Sequence, residues 1–77
     1  MKLPVLSGME VVKLLANEFG FKVLDQTGSH VIMFGERDGI KRKPVVPQHP
    51  ELAKGTLLSI LKQAGLRRDE LERAMKR

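Results

Sequence analysis

The chain has 77 residues, with 14 lysines and arginines against 9 aspartates and glutamates, for a formal charge of +5. That length supports one modest core, and no apolar run approaches the ~20 residues a membrane span needs. The absence of cysteine excludes a disulfide framework and a thiolate metal site. A single domain over residues 1–77 is expected. The opening stretch up to Leu6 is too short for a signal-peptide core and runs into Ser7-Gly8, so the expected location is cytoplasmic. The basic surface of so small a domain attracts polyanions, of which nucleic acid is the commonest.

The first predicted element is a helix. Ser7-Gly8-Met9-Glu10 fits a capping box, with Glu10 reaching back to the residue whose hydroxyl receives its amide. Val11, Val12, Leu15 and Phe19 follow at helical spacing with Ala16 beside them, and Gly20 suits a left-handed position past the last turn. Residues 21–26 read as a strand, Thr27-Gly28 as a two-residue turn and residues 29–34 as a second strand. That register pairs Asp25 with His30 and sets Phe21, Val23, Ile32 and Phe34 on one apolar face.

Asp38-Gly39 signals a second hairpin, leading into a strand from Ile40 to Val46. Pro44 removes a ladder donor, which places this strand at an edge or ends it early. Pro47-Gln48-His49-Pro50 is a rigid loop. A second helix is expected near Gly55-Thr56, with Thr56 as N-cap and Leu57, Ile60, Leu61 and Ala64 buried, ending at Gly65. A short final helix over residues 66–77 is anchored by Leu66, Leu71 and Met75. The resulting fold class is α+β, with a three-stranded antiparallel sheet carrying its helices on one face.

Two histidines carry most of the chemical potential of this chain. RNA supplies its own nucleophile, the 2′-hydroxyl, so one imidazole that titrates near neutrality suffices as a base for cleavage. In Gly28-Ser29-His30 the glycine lets a phosphate approach the backbone and the serine can donate to it. By alternation, however, His30 shares a face with Ile32 and Phe34, and a histidine at the rim of the core fits equally well. His49 is a second acid or base, a phosphate contact or a plain loop residue. Lys54-Gly55-Thr56 offers a lysine, free amides and a hydroxyl at a helix N-terminus, which is either a phosphate seat or an ordinary cap. Arg37, Lys41, Arg42 and Lys43 form the densest basic cluster. Phe19, Phe21 and Phe34 fit core positions, leaving no aromatic for base stacking. The histidine spacing gives no metal motif.

Taken in order, these motifs resemble the HicA family of small bacterial and archaeal toxins, also described as YcfA-like. The residues that carry the resemblance are Ser7-Gly8, Gly20-Phe21, Gly28-Ser29-His30, Pro47-Gln48-His49-Pro50, Lys54-Gly55-Thr56-Leu57 and the run from Ile60 to Leu66. The resemblance implies a fold like double-stranded-RNA-binding domains, with α-β-β-β-α order and a short extra C-terminal helix. It also implies a type II toxin that acts as an mRNA interferase without cofactor or metal. His30 would correspond to the family's essential, catalytic histidine and Gly28 to the glycine of the same motif; the residue chemistry above adds Ser29, His49, Lys54 and Thr56 as expected RNA contacts. The partners implied are mRNA and a HicB-type antitoxin, with no membrane. Assembly as a homodimer or as a hetero-oligomer with the antitoxin is left open. The alternative is a non-catalytic RNA-binding module of the same fold. Two departures stand out: the apolar Lys43-Pro44-Val45-Val46 strand, and Arg67-Arg68 where a capping Ser or Thr is usual.

Overall fold

The computed structural model describes residues 3–76. The order is α1 (Gly8–Phe19), β1 (Lys22–Thr27), β2 (His30–Arg37), β3 (Ile40–Arg42), β4 (Val45–Pro47), α2 (Lys54–Ala64) and α3 (Arg68–Met75). The fold is α+β with a small antiparallel sheet, as the sequence predicts.

Helix α1 begins with the capping box. Ser7 Oγ accepts from the Glu10 amide at 3.1 Å, and the Ser7 amide donates to Glu10 Oε1 at 2.9 Å. Gly20 ends the helix at φ 73°, a left-handed conformation that glycine adopts without a Cβ penalty. Val11 and Leu15 are buried and Val12, Leu14 and Phe19 partly so, whereas Ala16 faces solvent.

The first hairpin turns one residue later than predicted, which moves the pairing by two residues. Its turn is Gly28-Ser29, and Thr27 faces His30, so Asp25 lies opposite Ile32 instead of His30. Only Gly28 has a positive φ in this turn, which is the II′ pattern with glycine at the first central position. A turn on Thr27-Gly28 would put a β-branched residue into that left-handed region. The pairing shifts again between Val23 and Asp25, where a bulge inserts Leu24.

A shift of two residues keeps the faces, and the extra residue at Leu24 is what puts Met33, not Ile32 or Phe34, on the face of Phe21 and Val23. Val31, Met33 and Gly35 point to the helices and are buried, and Met33 is fully enclosed. Burying that side chain stabilises the fold by about 2–3 kcal/mol. Ile32 and Phe34 lie on the other face. The predicted apolar set therefore splits: Phe21 is in the core, Val23 is 56 % exposed, and neither Ile32 nor Phe34 belongs to the core cluster.

Asp38-Gly39 makes the second turn with both residues at positive φ (53° and 76°), the I′ form that matches strand twist. The expected third strand is interrupted at Lys43-Pro44. Its halves nonetheless keep one register along β2, from Arg37↔Ile40 to His30↔Pro47, which sets Lys43 opposite Phe34 and Pro44 opposite Met33. Pro44 cannot donate, but its carbonyl accepts from the Met33 amide at 2.9 Å and its ring is fully buried. The strand is an edge, as proline requires.

Helix α2 closes the core with Leu57, Ile60, Leu61 and Ala64. Its N-cap is Ala53, not Thr56, and Lys54-Gly55-Thr56 forms the first helical turn. Helix α3 is anchored by Leu66, Leu71 and Ala74, while Met75 is exposed. Arg67 occupies the position where Ser or Thr was expected to cap, and its amide donates to Glu70 Oε1 at 3.0 Å.

Candidate active site

His30 is the first residue of β2 and is exposed. Its neighbours across the sheet are Thr27 on β1 and Pro47 on β4. Residues directly opposite each other in a ladder share a face, and the core face of β2 belongs to Val31 and Met33. His30 therefore stands on the open face, away from the helices. This excludes the reading of His30 as a rim-of-core histidine, and the Asp25 carboxylate is not its orienting partner.

Three backbone bonds lock the loop after β4 beneath this histidine. The Gln48 amide donates to Ser29 O at 2.6 Å, tying the loop to the turn next to His30. The Gly8 amide donates to His49 O at 3.0 Å, and the Leu52 amide to Leu6 O at 2.8 Å. Gly8 has no room for a side chain, since a Cβ would lie 2.1 Å from Pro47 O and 2.8 Å from Gln48 Cα. That close approach explains the Ser-Gly start of α1: Ser7 caps the helix while Gly8 lets the loop seat on it. Sequence reasoning gave Gly8 no such role, and only the adjacency of the two segments reveals it.

The first turn of α2 borders the same region. Gly55 and Thr56 line a recess with Val45, Pro47, Ser59 and Gln63, so Pro47 connects His30 on one side to α2 on the other. No side chain caps this helix, so its first-turn amides leave a partial positive charge at the helix start. Lys54 and His49 are exposed, and Thr56 is partly buried. The structure thus gathers Gly28, Ser29, His30, Pro47 and the α2 N-terminus at one end of the sheet.

The predicted basic cluster, by contrast, is dispersed. Arg37 points to the helices, pairs with Glu70 and lies 5.4 Å from the centroid of the Phe19 ring. Arg42 also points to the helices, packing its guanidinium so close to Gly65 that a Cβ there would meet it at 2.9 Å. Only Lys41 and Lys43 remain free to meet a ligand, on the open face. Among carboxylates, the Ser7 amide and hydroxyl hold Glu10 below its usual range, and Arg73 does the same for Asp69. No group of three His, Cys, Asp or Glu side chains suited to a metal ion occurs among the described residues. No helix among them is long and apolar enough to cross a membrane.

No curated protein and no solved structure matches this chain. The family model described as the HicA toxin of bacterial toxin–antitoxin systems matches residues 8–66, from the Gly8 seat through the hairpin, the loop and α2. That span covers most of the chain and every element assembled around His30, so the protein belongs to the HicA toxin family.

Proposed function

We propose that this toxin is an endoribonuclease that cleaves mRNA with His30 as its essential histidine and without a metal. The observation that carries the reading is the placement of His30, exposed on the open sheet face between Thr27 and Pro47 and directly after the Gly28-Ser29 turn. In this reaction the 2′-hydroxyl loses its proton to a base as its oxygen attacks the adjacent phosphorus. The 5′-oxygen leaves and takes up a proton, giving a cyclic phosphate end. His30 serves one of these two transfers. Gly28 and Ser29 hold the scissile phosphate, with no Cβ on the first and a hydroxyl on the second. Lys54, Thr56 and the free amides of α2 take a neighbouring phosphate, and His49 contacts the strand from the loop.

Membership of a toxin–antitoxin family implies a cognate antitoxin. A HicB-type protein covering the His30 face is the partner this reading requires. The working unit is the single domain of residues 1–77, acting in the cytoplasm where mRNA is.

Purified chain and His30→Ala are compared on RNA in excess chelator. Loss of cleavage in the variant, with wild-type activity insensitive to chelator, is the expected result. Removing an exposed side chain shifts stability by only about ±0.5 kcal/mol, so the variant stays folded and the comparison is clean. Equal cleavage by both proteins refutes the assignment. Tight RNA binding without scission at any pH would leave only an RNA-binding module.

A further inference from the structure

The open face of the sheet holds more than His30. Following the ladder in rows, Thr27, His30 and Pro47 form the first, and Asp25, Ile32 and Val45 the second. In the third row Phe34 lies between Lys22 on β1 and, by the shared register, Lys43 on the other edge. Phe34 has the aromatic character of a core residue but packs outside the core cluster, partly exposed on the face away from every helix. Both lysines are exposed, and neither forms an ion pair among the described residues.

A partly exposed aromatic ring outside the core, flanked by two lysines without an ion pair, suits a nucleic-acid strand. A nucleobase stacks on the ring while the lysines meet the phosphates on either side. The geometry points to Phe34, Lys22 and Lys43 as a base-stacking platform for single-stranded RNA. It lies four residues along β2 from His30, about 13 Å at ~3.3 Å per residue. The base it takes is therefore a neighbour along the strand, not the one whose phosphate is cut. Asp25 is the one carboxylate in the row between, on the β1 side, with Oδ1 held by the Gln26 amide at 2.8 Å. It directs the strand over Ile32 and Val45 towards Pro47 and His30. A duplex cannot offer a base face to a flat sheet, so the platform selects unpaired RNA. The inference deepens the RNA-cleavage reading and rests on it for the identity of the ligand.

Binding is measured on a His30→Ala background, so that no RNA is cut, with a labelled single-stranded oligonucleotide and a hairpin duplex as probes. Phe34→Leu keeps an apolar side chain but removes the stacking face. It is expected to weaken single-strand binding by roughly 5- to 150-fold, the range for one lost base stack, and to leave duplex binding unchanged. Phe34→Tyr restores the affinity. A Lys22→Gln, Lys43→Gln pair is expected to flatten the slope of log K against log salt by about 1.4, the value for two single-strand phosphates. This second variant serves even if Phe34→Leu misfolds.

Unchanged single-strand affinity in Phe34→Leu overturns the platform and leaves the apolar row to a protein contact. Equal losses for both probes, or failure of tyrosine to restore binding, also overturn it. The cleavage reading fails separately, when His30→Ala cuts RNA as fast as the wild type.

Discussion

Replacing Gly8 by alanine tests the seat on which the His30 region is built. A Cβ at this position lies 2.1 Å from Pro47 O and needs at least 3.0 Å, so the loop or the helix start must retreat by about 0.9 Å. Both neighbours at closest range are backbone atoms, and the loop is held from the other side by the Gln48–Ser29 bond. The displacement also stretches the Gly8–His49 bond, at 3.0 Å now. Overpacking of this kind costs about 1–3 kcal/mol, and a strained hydrogen bond adds about 0.5–1.5 kcal/mol. Helix propensity works the other way, favouring alanine over glycine by up to about 1 kcal/mol.

The collision wins by about 0.5–3.5 kcal/mol, and Tm falls by at least ~2 °C at ~4–8 °C per kcal/mol. RNA cleavage should fall as well, since Pro47 is the residue opposite His30. Gly55→Ala is the control: it is also a helical glycine, but nothing lies within 4 Å of its Cβ. That substitution should raise Tm. A Gly8→Ala protein as stable and active as wild type would refute the reasoning.

Other substitutions probe the packing more directly. Gly35→Ala would place a Cβ 2.7 Å from the Phe21 ring, and it should lower the chemical-denaturation midpoint by an amount equivalent to about 1–3 kcal/mol. Arg37→Ala removes the ion pair with Glu70 Oε2 and the cation beside Phe19, so thermal unfolding should report a loss of about 1–3 kcal/mol. Acid titration tests the capping box of α1. The folded-state pKa of Glu10 is lowered, so its contribution is present above the ordinary carboxylate value near 4.5 and disappears as pH falls through the lowered value. Glu10→Gln should therefore be less stable at neutral pH, with a shallower decline in Tm below about pH 4.5.

Much of the fold was readable because several signals are local. Ser7 and Glu10 specify their helix start between themselves, and Asp38-Gly39 dictates a I′ turn whatever surrounds it. The β1–β2 register was harder because Val31, Ile32, Met33 and Phe34 are all apolar, so alternation cannot tell the core face from the open one. The deciding signals were the intolerance of Thr27 for positive φ and the need for Gly35 beneath Phe21. The Leu24 bulge left no comparable mark. The start of α2 was placed late because Thr56 is a better cap than Ala53, and tertiary packing overrode that preference. As for the site, the position of His30 beside Gly28-Ser29 was legible, as was the basic helix start at Lys54. Its company was not, because Pro47 and Gly8 lie far from His30 in sequence and meet it only through the ladder and the Gly8 clamp.

The β4 edge carries a consequence for how the protein behaves at high concentration. An exposed strand edge invites another chain to add to it, and natural sheets blunt that tendency. Here Pro47 has no N–H to offer, and the Val45 amide is taken by Gln63 Oε1 at 2.9 Å from α2. An incoming strand finds no donor along that stretch, so polymerisation through this edge requires Gln63 to let go first. Gln63 thus acts as a guard against fibre formation, and Gln63→Ala is the substitution that should convert a blunted edge into a sticky one.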